Sequence, residues 1–376
     1  MIPFNRPYLQ GKELINIAQS INLGKISGDG EFTKKCHALF EQRYHFKKVL
    51  MTTSCTDALE MAAILLDIQP DDEVIAPSYT FVSTVNAFAL RGAKIVFADS
   101  YTDHPNIDPL HIAKLITPKT RAIVVVHYAG VACDMDAIMA LANQYNIPVV
   151  EDAAQAIDGY YKGRPLGSIG TFGTFSFHET KNIIAGEGGL LVINDEKYIQ
   201  RAEIIREKGT NRSSFFRGEV AKYGWVDIGS SFLPSDIIAA YLYAQLENID
   251  DIQGKRKEIW QKYYERLSPV LTGSGIDLPS VADYSTNNAH MFYLVCENIE
   301  QRSALIQFLR DNGIHAVFHY LSLHKSEYYQ SKYIGSDLPN SDKFTDTLVR
   351  LPLFYELTDE QIDYICNKIN EFMVMG

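Results

Sequence analysis

The sequence has few cysteines and no excess of positive charge. Its 376 residues include five cysteines, which are scattered and form neither a Cys-x-x-Cys pair nor a histidine-containing zinc spacing: Cys36, Cys55, Cys133, Cys296 and Cys366. No metal site is expected, and a reducing compartment is the simplest interpretation. Because 46 acidic residues outnumber 35 basic ones, for a formal net charge of −11, we expect no binding to nucleic acid or to an anionic membrane surface.

Long apolar runs and several common catalytic motifs are also missing. No run reaches the roughly 18 apolar residues of a membrane span, and the N-terminal residues do not resemble a signal peptide, so we expect a soluble cytoplasmic protein. The patterns GxGxxG after the first strand, GxxxxGK[ST], GxSxG and HExxH do not occur. The dinucleotide, nucleotide-phosphate, esterase and zinc-protease mechanisms therefore lack their minimum parts.

The composition, with 46% hydrophobic residues, is typical of a globular protein with a sizeable core. Up to about residue 250, short apolar runs alternate with helical patterns, which predicts an α/β domain with a mostly parallel sheet. The predicted strands are Glu73–Pro77, Lys94–Ala98, Ala122–Val126, Ile147–Glu151, Thr171–Phe177 and Gly189–Ile193. The predicted helices are Thr56–Leu66, Thr80–Leu90, Pro109–Ile116, Met135–Tyr145 and Asp195–Glu207.

The pattern changes after residue 250. One or two helices between Ser235 and Leu267 lead out of the large domain, and a strand from Ala289, a helix over Glu300–Asn312 and a strand over Ile314–His319 indicate a smaller α+β domain. We therefore predict a large domain over residues 1–250 and a small one over residues 251–376. The segment 211–224 has no helical or strand period and is predicted to be an ordered loop, which carries Arg212, Arg217 and Lys222.

Two side chains follow neighbouring apolar strands, where an open α/β sheet binds its ligands. Asp152 ends the strand that begins at Ile147, and Lys181 follows the strand that begins at Thr171. Taken singly, Asp152 fits a helix cap and Lys181 a solvated loop residue. Taken together, they place a carboxylate beside a lysine that can be kept neutral enough to form an imine.

A third element is an anion site at the start of a helix. The residues Ser54, Cys55 and Thr56 cross from a loop into a helix, so free backbone N–H groups and two hydroxyls converge there. A plain N-cap is the alternative interpretation. A phosphate site, an imine-forming lysine and an aspartate that can pair with a pyridine nitrogen are together the set that pyridoxal phosphate requires.

Several motifs give the chain a resemblance to a known family. These are DDEVIAPSYTFVSTVNA, ITPKTRAIVVVHYAG, VVEDAAQAIDGYYKGRPLG, FSFHETKNIIAGEGG, NGIHAVFHYLSLH and RLPL, in that order along nearly the whole sequence. The chain resembles the DegT/DnrJ/EryC1/StrS sugar aminotransferases, a branch of the fold-type I pyridoxal phosphate enzymes. The resemblance implies a large domain with a mostly parallel seven-stranded sheet and a smaller C-terminal α+β domain.

The resemblance also implies roles for individual residues. Lys181 would hold the cofactor as an imine, Asp152 would pair with the pyridine nitrogen and Gln155 would hydrogen-bond the ring hydroxyl. Phe81, or as a second choice Tyr79, would stack on the ring. The implied phosphate contacts are Ser54, Cys55, Thr56 and Ser176. The chain departs from many relatives at Cys55, where they have glycine, and at Ser231, where they have an asparagine that reaches the cofactor of the neighbouring subunit.

The activity implied by the resemblance is transfer of an amino group from glutamate to the 4-keto carbon of a nucleotide-linked deoxysugar, in a homodimer whose active sites lie at the subunit interface. The expected sugar-nucleotide contacts are Arg212, Arg217, Lys222, His319, Tyr320 and His324. One alternative is an aminotransferase that acts on another nucleotide-sugar ketone. Two further alternatives are a sugar dehydratase of the same fold, whose members typically lack the lysine, and a regulatory protein with a relict cofactor site. The presence of Lys181 argues against both.

Overall fold

The computed structural model describes residues 1–375 and contains eleven strands in that range. In chain order they are β1 (Lys48–Thr52), β2 (Glu73–Pro77), β3 (Lys94–Ala98), β4 (Thr120–Val126), β5 (Val149–Asp152), β6 (Tyr160–Tyr161), β7 (Arg164–Pro165), β8 (Phe172–Ser176), β9 (Gly189–Ile193), β10 (Phe292–Val295) and β11 (Leu348–Leu351). Seven of them form one sheet in the order β1-β9-β8-β5-β4-β2-β3. Strand β9 is antiparallel to its neighbours β1 and β8, and all other neighbouring pairs are parallel. The predicted α/β class with a mostly parallel seven-stranded sheet is confirmed.

The helices within residues 1–375 cover both faces of this sheet and build the C-terminal part of the chain. They are α1 (Glu13–Asn22), α2 (Glu31–Tyr44), α3 (Cys55–Leu65), α4 (Ser83–Ala89), α5 (Pro109–Leu115), α6 (Met135–Tyr145), α7 (Ile199–Arg206), α8 (Arg212–Phe216), α9 (Asp236–Leu246), α10 (Ile249–Leu271), α11 (Ile299–Asp311), α12 (Pro339–Thr347) and α13 (Asp359–Met375). None of the helices within residues 1–375 is both long and apolar enough to cross a membrane.

The central strands are buried on both faces because each carries a continuous apolar run. In β4, Ile123 and Val125 point into one core and Ala122 and Val124 into the other. Strand β9 divides its side chains between the same two cores. This arrangement is the one expected of a sheet covered by helices on both sides, and it leaves the ends of the strands as the place for polar chemistry.

A third core lies around strands β10 and β11, which pair antiparallel. Helix α10 connects it to the large sheet: Ile252 packs in one of the sheet's cores, whereas Ile259 and Leu267 pack in the third core. Ile2, at the start of the chain, also packs there. The predicted division at residue 250 therefore falls in the first turn of a helix that both cores share.

Two local predictions are wrong, and four strands were not predicted: β1, β6, β7 and β11. The segment 314–319 does not form a strand, because only Ile314 and Val317 make isolated bridges before the chain turns toward the cavity described below. The predicted loop 211–224 contains the short helix α8. Strand β1, an edge strand of the sheet, was missed.

Candidate active site

A cavity of about 590 Å³ lies at the carboxyl ends of the central strands, facing the C-terminal part of the chain. Asp152 and Ser176, which end strands β5 and β8, form part of its wall together with Lys181. The opposite wall comes from the C-terminal half of the chain and consists of His290, His319, Tyr320 and Arg350. The two strand-end residues and the lysine that the sequence pattern singled out thus face one enclosed space.

The carboxylate of Asp152 is buried in this cavity. Its Oδ2 accepts a 2.7 Å hydrogen bond from the Thr84 hydroxyl, and its Oδ1 accepts one of 3.1 Å from the Ala154 amide. Burial raises the pKa of Asp152 because the charged form loses water, while these hydrogen bonds act in the opposite direction. Asp152 has no ion-pair partner within residues 1–375. A buried carboxylate in this situation fits a protonated pyridine nitrogen as its cationic partner.

Lys181 lies half-buried in the turn between strands β8 and β9. The turn is fixed by its neighbour Asn182, whose side-chain amide donates to the Asn288 carbonyl at 2.9 Å and to Gln253 Oε1 at 2.8 Å. Burial lowers the pKa of the Lys181 amine, and the positive charge of Arg350 lowers it further. A larger neutral fraction is what an amine needs to attack a carbonyl carbon.

The predicted phosphate site is the start of helix α3. Ser54 caps this helix by accepting a 3.0 Å hydrogen bond from the Asp57 amide, and Thr56 donates to the Ser83 hydroxyl at 2.8 Å. Ser54, Cys55, Thr56 and Ser176 all line the cavity. The sheet approaches this turn closely: a Cβ at Gly189 would lie 2.3 Å from the Ser54 carbonyl oxygen. The start of helix α3 therefore presents backbone amides and side-chain hydroxyls to the cavity, and strand β9 packs closely behind it.

Cys55 occupies a conformation that tolerates its side chain. It is the first residue of helix α3 and does not have a positive φ, so glycine is not required at this position. Its thiol is buried, and burial raises its pKa. The departure from the glycine of many relatives thus leaves the backbone of the phosphate site intact.

The ring-binding candidates occupy different positions. Phe81 lines the cavity and is 55% exposed, whereas Tyr79 is 1% exposed and packs away from it against Tyr128 and Tyr320. Gln155 also lines the cavity. Its Oε1 accepts a 2.6 Å hydrogen bond from the Ala129 amide and its Nε2 donates to the Tyr320 hydroxyl at 2.9 Å, which fixes the amide so that one N–H remains for a ligand.

The predicted sugar-nucleotide contacts divide into three groups. His319 and Tyr320 line the cavity, and their rings stack at 3.5 Å. His324 is buried outside the cavity wall, where its Nδ1 lies 2.7 Å from the Ser78 hydroxyl. Arg212, Arg217 and Lys222 lie on the surface outside the cavity, with Arg212 paired to Glu207 and Arg217 paired to Glu203 and Glu219. Ser231, which was predicted as a cofactor contact, is also exposed outside the cavity.

Eleven cavity residues were not predicted, among them Ser83, Thr84, His290 and Arg350. Thr84 sits in the first turn of helix α4, 68 positions before the aspartate it bonds, so no local pattern connects the two. The sequence does contain a signal for Arg350, because a charged residue interrupts an otherwise apolar run, which forms strand β11. His290 donates from Nδ1 to Asn182 Oδ1 at 2.8 Å, a tautomer that follows from the amide's own donor contacts.

The chain is similar to known aminotransferases over nearly its whole length. Residues 7–370 match the model of the DegT/DnrJ/EryC1/StrS aminotransferase family. The chain is similar to the solved aminotransferase TlmJ from Streptoalloteichus hindustanus, with 28% identity and a TM-score of 0.91 over 100% of this chain and 99% of that one. It is similar to the putative sugar aminotransferase Spr1654 from Streptococcus pneumoniae, solved in its PMP form, with 27% identity and a TM-score of 0.92 over 100% of both chains.

A third similar structure is DesV from S. venezuelae in complex with a ketimine intermediate. It has 30% identity and a TM-score of 0.90 over 99% of this chain and 98% of that chain. The Streptococcus protein has also been solved in a PLP form. With a family match over almost its whole length and a cavity that fits the cofactor, the chain belongs to the DegT/DnrJ/EryC1/StrS aminotransferase family and is a pyridoxal phosphate-dependent aminotransferase.

Proposed function

We propose that this protein transfers the amino group of glutamate to the 4-keto carbon of a nucleotide-linked 6-deoxysugar. The specific reaction we propose converts dTDP-4-keto-6-deoxyglucose to dTDP-4-amino-4,6-dideoxygalactose, in the cytoplasm, for a bacterial surface polysaccharide such as enterobacterial common antigen. The observation that carries the aminotransfer is that Lys181 and Asp152 face one cavity of about 590 Å³. The sugar rests on the motifs of the sequence and on the similarity to a putative sugar aminotransferase.

The predicted catalytic and cofactor-binding residues of the cavity have separate proposed roles. Bound pyridoxal phosphate supplies a ring that accepts electrons when the Cα–H bond of the donor breaks. Asp152 keeps the ring nitrogen protonated, and the Lys181 amine takes the Cα proton and later returns a proton to the new amino-bearing carbon. The free N–H of Gln155 would hydrogen-bond the ring hydroxyl, and Phe81 would cover the ring. The phosphate contacts we propose are Ser54, Cys55, Thr56 and Ser176.

We propose that the active enzyme is a homodimer. Large apolar side chains are exposed on the segment that follows helix α8: Trp225 is 84% exposed, and Val226 and Ile228 are exposed beside it. A second copy of the chain would cover this surface. In that dimer Arg212, Arg217, Lys222 and Ser231 would reach the neighbouring cavity, while His319 and Tyr320 contact the sugar nucleotide of their own. We give His324 no contact, because it points toward Ser78.

The test is a nitrogen-transfer assay. Purified protein loaded with pyridoxal phosphate is incubated with glutamate carrying isotope-labelled nitrogen and with candidate dTDP-keto sugars, and the sugars are analysed by mass spectrometry. We expect an amino group carrying the label to replace the keto oxygen of one of them. Loss of a hydroxyl without nitrogen transfer would identify a dehydratase instead. A Lys181→Ala variant is the control and is expected to transfer no nitrogen.

A further inference from the structure

Arg350 presents a positive charge to the cavity and has no ion-pair partner in the described part of the chain. It lies on strand β11, and with Lys181 it is one of two Lys or Arg side chains in the described cavity wall. Its Nε is buried without a hydrogen-bond partner, and its side chain makes no ion pair or hydrogen bond within residues 1–375. A guanidinium carries five N–H donors, so leaving them unmatched in a buried place is costly unless a ligand uses them.

The side chains next to Arg350 include three phenols and one further aromatic ring, and none of these four is charged. The phenols of Tyr79, Tyr128 and Tyr320 influence the pKa of Arg350. The centre of the Phe4 ring lies 4.5 Å from the Arg350 Cζ. Burial raises the pKa of all three phenols, so they remain neutral and do not balance the charge. Burial lowers the pKa of Arg350 itself, but a guanidinium starts from so high a pKa that it keeps its proton at neutral pH.

The two histidines on the same wall do not supply a competing charge. Burial lowers the pKa of His290 and of His319 well below the usual range. The charges of Lys181 and Arg350, which line the same cavity, lower both pKa values further. The wall formed by the C-terminal half of the chain therefore holds one fixed cation, Arg350, among neutral hydrogen-bonding groups.

We propose that Arg350 binds the α-carboxylate of the amino donor. This inference rests on the proposed aminotransfer, in which the donor's amino nitrogen must meet the cofactor beside Lys181. In an α-amino acid the carboxylate is attached to the carbon that bears this nitrogen, so it must lie close to the reacting atoms. A guanidinium binds a carboxylate through two parallel N–H donors, which fixes the direction of the Cα–H bond as well as the distance.

The diphosphate of a nucleotide sugar is the other anion that could meet Arg350. In the proposed acceptor the diphosphate is attached to C1, whereas the reacting carbon is C4 on the far side of the ring. An acceptor oriented with C4 at Lys181 therefore points its diphosphate away from the reacting atoms. Arg350 lines the same cavity as Lys181, so we assign it to the carboxylate of the donor rather than to the diphosphate.

The experiment compares Arg350→Gln and Arg350→Lys with Arg310→Gln, which removes an exposed guanidinium from helix α11. Binding of glutarate, a dicarboxylate without an amino group, is measured by calorimetry on the protein loaded with pyridoxal phosphate. The two half-reactions are then followed separately by the absorbance of the cofactor, first with glutamate and then, from the amine form, with the keto sugar. Removal of an unbalanced buried charge is not expected to unfold the chain.

We expect Arg350→Gln to weaken glutarate binding, and to raise the glutamate concentration for half-maximal rate, by about tenfold or more, as for loss of a charge-assisted hydrogen bond. Arg350→Lys should lose less, and Arg310→Gln should match the wild type. The keto-sugar half-reaction should keep its concentration dependence in all three variants. This result also separates a binding defect from a folding defect, which would impair both half-reactions.

Unchanged glutarate binding in Arg350→Gln would overturn the proposal. A defect confined to the keto-sugar half-reaction would also overturn it and would assign Arg350 to the diphosphate. Failure of the proposed function looks different, because the wild-type cofactor would then not respond to glutamate at all. If another amino acid converts the wild-type cofactor, the same comparison with that amino acid tests Arg350.

Discussion

The hydroxyl of Thr84 donates a 2.7 Å hydrogen bond to the buried carboxylate of Asp152. Thr84 in turn lies 2.8 Å from the Thr80 hydroxyl, so with Thr84 donating to Asp152, Thr80 donates to Thr84. The first turn of helix α4 thereby holds Asp152, the carboxylate that we propose pairs with the ring nitrogen. This contact opposes the effect of burial and lowers the pKa of Asp152.

Removal of the Thr84 hydroxyl should therefore weaken Asp152 as an anion. In a Thr84→Val variant, which keeps the shape of the side chain, the pKa of Asp152 rises and the acid limb of the pH–rate profile moves to higher pH. We expect the rate of the glutamate half-reaction at neutral pH to fall about tenfold, the size of one hydrogen bond to a charged group. Stopped-flow absorbance across pH measures this. Thr84→Ser, which retains a hydroxyl, should behave like the wild type, and an unshifted profile in Thr84→Val would contradict the assignment.

Asp152 should make the cofactor-free protein less stable at neutral pH. Its pKa in the folded state is raised above the ordinary 3.8, so the folded protein keeps this proton to higher pH than the unfolded chain. The stability therefore falls as pH rises from below the ordinary pKa through the raised one, and stays lower above it. A cofactor-free Asp152→Asn variant should melt at a higher temperature than the wild type at neutral pH, with a difference that shrinks as pH is lowered.

Scanning fluorimetry with and without pyridoxal phosphate measures this effect. Pyridoxal phosphate should raise the melting temperature of the wild type more than that of Asp152→Asn, because only the carboxylate gains a cationic partner. A wild-type protein that melts above Asp152→Asn at neutral pH without cofactor would contradict the account of a destabilising buried charge.

The neighbouring carboxylate should behave in the opposite way. Glu151 is fully buried, lies 2.9 Å from His127 Nε2 and accepts hydrogen bonds from the amides of Gly167, Ile169 and Gly170. In Glu151→Gln an amide nitrogen would face one of these donors. We expect a loss of about 2–4 kcal/mol in the free energy of unfolding.

Urea denaturation measures this loss, and the absorbance of the bound cofactor should be unchanged because Glu151 does not line the cavity. Two adjacent residues thus differ in role, because alternate side chains of β5 point to opposite faces of the sheet. A Glu151→Gln variant as stable as the wild type would show that its amide contacts contribute little.

Much of the large domain could be predicted because its strands carry their own signal. The continuous apolar runs of β2, β3 and β9 have the predicted bounds, and their burial on both faces follows from the same runs. Strand β1 was not predicted because it lies at the edge of the sheet and its partner β9 comes about 140 positions later in the chain. Residues 314–319 look like a strand locally, but the sheet gives them no continuous partner.

The site was predictable where strand ends determine it and not where distant elements meet. Lys181 and Asp152 follow from the rule that parallel strands end at one edge of the sheet. The Thr84 contact depends on how helix α4 packs, and Arg350 reaches the cavity only because β11 pairs with β10 beside the large sheet. His324 shows the converse, since its sequence position beside His319 does not bring it to the cavity.

The proposed mechanism depends above all on Lys181 being the lysine that bonds to pyridoxal phosphate. The most direct measurement is borohydride reduction of the yellow, cofactor-loaded protein, which makes the bond permanent, followed by mass spectrometry of its peptides. We expect one pyridoxyl group per chain, attached to Lys181, and no pyridoxyl group in a Lys181→Ala variant treated in the same way. A pyridoxyl group on another lysine, or an unmodified Lys181 in reduced wild-type protein, would contradict it.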